Sequence, residues 1–304
     1  MSARDYNAGS GHWVVLKYGG TSVADPENWA GIAEVLRARQ SEGLRPVLVH
    51  SALSGVSDRL ERLARLPDDL EREAIVGQIE ERHAALLAGL GLESPPELTP
   101  RLQEVGRLAN GLALTGEVSA PLEARLLALG ELMASAIICA YLAQQGFDVL
   151  NPDARQVLTS RRTYTAHDPR RFLSAVCDSD FDDRLCADWA AHSGIIVTQG
   201  FIASDDRGRT VVLGRGGSDT SAAYFAARLR AERLEIWTDV PGMFSANPRI
   251  IPSARLLRQL SFDEAQEIAA TGGKVLHPRC LAVARHSGTP VHVLETRRPH
   301  VEGT

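Results

Sequence analysis

Two rhythms of apolar and polar positions run along the chain. Continuous apolar runs suit buried parallel strands, and Leu/Ala-rich stretches with helical spacing lie between them. His12 to Tyr18 reads as a strand. It passes through Gly19, Gly20, Thr21 and Ser22 to Asp25-Pro26, a pair suited to N-cap and open a helix reaching Arg39. Pro46 to His50 is the next strand, which completes a βαβ unit whose loops gather at the carboxyl edge of the sheet. From Val56 to Gln145 the pattern is helical, broken near Pro67, at Ser94-Pro95-Pro96 and around Gly116, and is expected to be a helical insertion. Phe147 to Leu150, Gly194 to Thr198 and Thr210 to Leu213 are expected to rebuild the sheet, with a helical, Asp-rich segment between the first two. Ser218 to Arg230 follows as an Ala-rich helix, Leu234 to Thr238 as a strand and Pro290 to Leu294 as a closing strand. Ser261 to Glu264 forms a capping box that opens another helix. No internal repeat or low-complexity tract appears.

At 304 residues and 44% hydrophobic, the chain can build a large core in one domain or two closely joined lobes. A net charge of -5 argues against nucleic-acid or membrane binding, either of which needs a dense cationic face. Cys139, Cys177, Cys186 and Cys280 lack disulfide or zinc-ligand spacing, which suits a reducing compartment. No cationic segment leads into an apolar run near Met1, so no signal peptide is indicated and a cytoplasmic protein is expected.

Two glycine-rich turns stand out, Lys17-Tyr-Gly-Gly-Thr-Ser22 and Leu213-Gly-Arg-Gly-Gly-Ser-Asp219, each between an apolar strand and a helical pattern. Glycine lets backbone N–H groups approach an anion, and the following helix adds free amides and the favourable end of its dipole. Lys17 and Arg215 could add charge. Glycines that merely satisfy positive φ angles would read the same way, and neither turn completes a P-loop or a dinucleotide fingerprint. No histidine cluster suggests a metal centre.

Lys17-Tyr-Gly-Gly-Thr-Ser-Val23 resembles the opening signature of aspartate kinases, in the amino acid kinase superfamily. Further matches follow in order: Ser51-Ala52 through Ser57, Gly130 to Ser135, Thr198 to Ile202, Gly214 to Asp219, Trp237 to Val240, Asn247 to Arg249, and Gly273 to Pro278. The resemblance spans nearly the whole chain. It implies an α/β fold, a three-layer αβα sandwich on a mainly parallel sheet with a helical insertion in its N-terminal lobe. Residues 12–205 would form an aspartate-binding lobe, 206–296 an ATP-binding lobe and 297–304 a tail or linker, with no room for ACT regulatory domains.

The reaction implied is transfer of the ATP γ-phosphoryl to the β-carboxylate of L-aspartate, the first step toward lysine, threonine and methionine. A carboxylate is already ionised at neutral pH, so catalysis must come from aligning two anions and neutralising the charge on the transferring group. By resemblance, Lys17 and Asp219 are the catalytic pair. Ser51, Ala52, Ser57, Glu131, Arg215, Gly216 and Ser218 would hold aspartate, with Arg215 gripping the α-carboxylate and Glu131 the α-ammonium. Lys17, Gly19, Gly20, Thr21, Thr238, Asp239, Phe244, Arg249 and Lys274 would hold ATP, and Mg²⁺ would be carried mainly by its phosphates. Phe244 stands where the family often has tyrosine, which removes one polar contact. Helix capping remains the plain reading for Ser51 and Ser57, and a solvated glutamate for Glu131. A homodimer is expected, and the polar tail from Arg297 to Thr304 reads like the start of a linker to a second biosynthetic domain. Alternatives are a kinase for another carboxylate or a non-catalytic nucleotide or amino-acid sensor.

Overall fold

The computed structural model describes residues 12–65, 68–165, 167–246, 250–270 and 275–304. Its elements begin with β1 (Trp13–Tyr18), α1 (Gly20–Val23), α2 (Asn28–Ser41) and β2 (Arg45–His50). The helical insertion follows as α3 (Val56–Leu63), α4 (Asp69–Leu90), α5 (Leu98–Thr115) and α6 (Ala120–Gln144). Next come β3 (Val149–Leu150), α7 (Ala154–Val157), α8 (Arg170–Leu173), α9 (Asp183–Ala190), β4 (Ile195–Gln199), β5 (Ile202–Ser204) and β6 (Thr210–Val212). The chain closes with α10 (Gly217–Arg228), β7 (Arg233–Thr238), α11 (Phe262–Ala270), α12 (Pro278–Ser287) and β8 (Val291–Glu295).

Among the described residues, six strands form one sheet in the order β3-β4-β2-β1-β7-β8, and every pairing in it is parallel. The first and last thirds of the chain therefore share a sheet, joined where β1 pairs with β7. Side chains alternate faces along a strand, which sorts the helices into layers. On β1, Trp13 packs edge-on against Trp189 of α9, and Lys17 meets Asp219 of α10. On the opposite face Tyr18 stacks on Trp237, while Glu235 of β7 takes the Nε of Arg39 from α2. Trp29 of α2 meets Tyr141 of α6. The result is the expected αβα sandwich on a parallel sheet.

Three expectations are corrected. Helix α2 begins at Asn28, not at Asp25-Pro26, because the Asp25 carboxylate accepts the Glu27 N–H in a turn placed after the short α1. The Phe147 strand shrinks to Val149–Leu150 at the sheet edge. Thr210–Val212 does not join the main sheet but pairs antiparallel with β5, a strand of three residues with no clear periodicity of its own. The break near Pro67 lies outside the described residues, whereas those near Ser94 and Gly116 fall between helices as expected. The Ser261 capping box forms, with Glu264 accepting the Ser261 N–H and the Ser261 hydroxyl accepting the Glu264 N–H.

Helix α6 is long and apolar enough to cross a membrane by length and composition, but 83% of its most apolar window is buried inside the protein. It is apolar on every face because neighbours surround it. The polar side chains Glu131 and Ser135 are nonetheless buried on it, 2% and 1% exposed. Residues buried at such cost point to the site.

Candidate active site

The loops that follow β1, β2, β4 and β6 meet at the carboxyl edge of the sheet around a cavity of about 680 Å³. Its floor is the first glycine turn. A Cβ on Gly20 would lie 2.7 Å from the Ala52 carbonyl oxygen, so only glycine lets this backbone lie against the loop after β2. Ser54 N–H donates to the Gly20 carbonyl at 3.1 Å and Ser51 N–H to the Tyr18 carbonyl at 3.2 Å, which locks the two loops together.

The second glycine turn supplies the facing wall. Gly214 and Gly216 sit at φ 73° and 62°, in the left-handed region that glycine enters without strain. Helix α10 then starts at Gly217, so its first-turn N–H groups lack helical acceptors, and Gly217, Ser218 and Asp219 line the cavity. Asp219, in that first turn, holds Lys17 Nζ at 2.6 Å, and both side chains are only slightly exposed. The two turns, some two hundred residues apart in sequence, thus place a fixed cation at their junction. Arg215 is exposed and lines the cavity.

Glu131 enters from α6. Its Oε1 accepts the Ala52 N–H at 3.2 Å, and its Oε2 is buried without a partner. Burial pushes its carboxyl up to about 8, while the Ala52 N–H bond pulls the other way. A carboxyl with one empty lone-pair side facing a cavity is suited to receive an ammonium group.

Lys17, Gly20, Ser51, Ala52, Ser57, Glu131, Arg215, Gly216, Ser218 and Asp219 all line this one cavity. Ser51 and Ser57 cap no helix, since Gly55 is the N-cap of α3. The other described residues expected to hold ATP are not among those lining this cavity. Gly19 is the N-cap of α1, and a Cβ there would lie 3.5 Å from Lys17 Nζ. Thr21 is exposed on α1. Thr238 ends β7, paired with Glu295 of β8, and Asp239 follows it; the Thr238 hydroxyl donates to Asp239 Oδ1 at 3.1 Å. Phe244 is half-buried and bridges to Leu256. Arg249 and Lys274 lie outside the described residues.

Phe201, inside the matched string from Thr198 to Ile202 but given no role there, lines the cavity with φ 65°. A phenylalanine in that region is strained, and strain of this kind gathers at functional sites. The matched string marks the position, but a phenylalanine by itself does not signal a positive φ. Leu173 and Ser174 of the α8 region also line the wall and carried no motif.

The sequence profile of the Amino acid kinase family matches residues 12–295. The lysine-sensitive aspartokinase 3 of Escherichia coli is 34% identical over 294 residues, covering 96% of this chain and 63% of that protein. A bifunctional aspartokinase/homoserine dehydrogenase of Haemophilus influenzae is 30% identical, covering 95% of this chain and 36% of that one. The crystal structure of E. coli aspartokinase III in complex with aspartate and ADP superposes with a TM-score of 0.81 at 33% identity, over 96% of this chain and 63% of that one. This chain therefore spans less than two thirds of the length of these relatives. With a match running from the residue before β1 to the end of β8, the chain belongs to the amino acid kinase family.

Proposed function

We propose that this protein transfers the γ-phosphoryl group of ATP to the β-carboxylate of L-aspartate. The observation that carries the proposal is the Lys17–Asp219 ion pair of 2.6 Å, set where the two glycine turns meet and opening on the same cavity as Glu131 and Arg215. The aspartokinase likeness, with aspartate and ADP in the superposed relative, supports aspartate as acceptor and ATP as donor.

In this reading Arg215 grips the α-carboxylate and ionised Glu131 the α-ammonium, so an amino acid is read by its two opposite charges. A β-carboxylate oxygen then forms a bond to the γ-phosphorus as the bond to the β,γ-bridging oxygen breaks and ADP leaves. Lys17, held in place by Asp219, meets the charge on the transferring oxygens without reorganising, while the first-turn amides of α10 add fixed dipoles. Gly19, Thr21, Thr238, Asp239 and Phe244 are assigned to the nucleotide, and Arg249 and Lys274 are assigned to it by resemblance alone. Among the described residues no cluster of three or more His, Cys, Asp or Glu could hold a metal ion. Mg²⁺ is assigned to the ATP phosphates, where it would neutralise their charge.

A homodimer, a cytoplasmic setting and fusion to a second biosynthetic domain belong to the same proposal. The four free thiols support a reducing compartment, and the bifunctional relative supports fusion. Incubation with Mg-ATP and a panel of amino acids, with acyl phosphate trapped by hydroxylamine, tests the function. Hydroxamate is expected from aspartate and little from glutamate. Preference for another carboxylate would reassign the acceptor, and no product from any would favour a sensor.

A further inference from the structure

Behind the cavity wall lies a buried polar chain that the reaction itself does not use. His50, Ser135 and Gln199 are 0%, 1% and 1% exposed. His50 Nδ1 lies 3.2 Å from the Ser51 carbonyl, so this nitrogen carries the proton and donates. Nε2 is then the acceptor, and it takes the Ser135 hydroxyl proton at 2.8 Å. Ser135 Oγ in turn accepts from Gln199 Nε2 at 2.7 Å, and Gln199 Oε1 accepts the Ala154 N–H at 2.8 Å. One tautomer satisfies every member. Burial lowers the His50 pKa to about 4, which keeps the ring neutral and that tautomer in place at working pH.

Each member sits next to a piece of the acceptor pocket. His50 ends β2 and leads directly into Ser51 and Ala52. Ser135 lies one helical turn beyond Glu131 on α6, on the same face. Gln199 ends β4 just before Gly200 and Phe201, and the Gly200 N–H donates back to the His50 carbonyl at 2.8 Å. A Cβ on Gly200 would fall 2.7 Å from the Cβ of Ser218, so this turn also touches the second glycine loop.

We propose that His50, Ser135 and Gln199 are positioning residues, a buried hydrogen-bonded chain that fixes the Ser51–Ala52 backbone against Glu131 and so sets the ammonium-binding end of the pocket. The inference rests on reading the cavity as the aspartate site. A mere packing role would shift stability while leaving the two substrates equally affected. A positioning role falls chiefly on aspartate, because Ala52 N–H and Glu131 Oε1, 3.2 Å apart, lose their alignment when the chain is cut.

The test is steady-state kinetics on Ser135→Ala, His50→Leu and His50→Gln beside the wild type, with thermal unfolding measured on each. Ser135→Ala and His50→Leu should raise KM for aspartate about tenfold, the effect of losing roughly one net hydrogen bond, with KM for ATP unchanged. His50→Gln, whose carboxamide can occupy the Nε2 position, should recover most of the loss. In the wild type, ¹⁵N spectroscopy should find the His50 ring as the Nδ1–H tautomer, and Ser135→Ala should perturb its Nε2 resonance. Unchanged KM for aspartate in both Ser135→Ala and His50→Leu, or a parallel rise in both KM values that tracks thermal stability, would overturn the proposal. A wild type without aspartate-dependent turnover would instead overturn the assignment of the pocket, and the proposal with it.

Discussion

Burial strips water from the Glu131 carboxylate and pushes its pKa up to about 8, whereas an ammonium group beside it would favour the ionised form. The folded value lies above the ordinary 4.5, so the folded state binds more protons than the unfolded chain between those two values. Stability from this group is full below pH 4.5, declines as pH rises through the interval, and is lost above about 8. Glu131→Gln should therefore be more stable than the wild type at pH 8, by up to roughly 5 kcal/mol, and the gap should close toward pH 4. The same variant should lose aspartate binding. In the wild type, KM for aspartate should fall as pH rises toward 8, since below that pH binding must first expel the Glu131 proton; a pH-independent KM would contradict this. Little of the residue's environment was legible beforehand. Its place in a helical run suggested a solvated glutamate, and only the flanking matched residues singled it out. Phe201 was less legible still, because a positive φ leaves no trace in the sequence unless glycine occupies the position.

At the scale of elements, the helical insertion and the strands of the parallel sheet were readable because each has a continuous apolar run or a helical face, bounded by Gly or Pro. The β5–β6 hairpin was not, since strands of three residues are decided by what they pack against. The turn after β6 shows how an element positions chemistry. Gly216 is in the left-handed region, and a Cβ there would stand 2.3 Å from Cγ of His277, the N-cap of α12. Arg279, in the first turn of α12, donates to the carbonyls of Leu213 and Ala175, both at 2.6 Å, and so ties the turn to the opposite wall. Gly216→Ala should therefore push the turn off His277 and displace Arg215 and the start of α10. An activity loss of about a hundredfold, the scale of an ångström-sized misplacement, is expected with only a modest change in unfolding temperature. Full activity in this variant would show that the turn does not hold the substrate.

Over the whole molecule, the end of the chain is held to the sheet. Thr304 exchanges two backbone hydrogen bonds with Val293 of β8, at 2.9 and 3.1 Å, and its hydroxyl accepts the Met243 N–H at 2.7 Å. A Cβ on Gly303 would lie 1.7 Å from the Val293 carbonyl oxygen, so Gly303→Ala should release this docking. The expected cost is about 1–3 kcal/mol in chemical denaturation, from the lost hydrogen bonds. An unchanged midpoint would mean that the tail adds nothing to the fold. The global arrangement also explains why the site could be anticipated but not assembled from sequence. Both glycine turns were visible, yet their meeting depends on β1 lying at the centre of the sheet with α10 packed on one face. Their meeting point is the Lys17–Asp219 pair, and the most direct test is aspartate-dependent phosphoryl transfer from Mg-ATP by Lys17→Ala, with circular dichroism confirming the fold. A loss in kcat of about 10²–10³, the usual effect of removing one pre-positioned charge-stabilising group, is predicted. Turnover equal to the wild type would contradict the account.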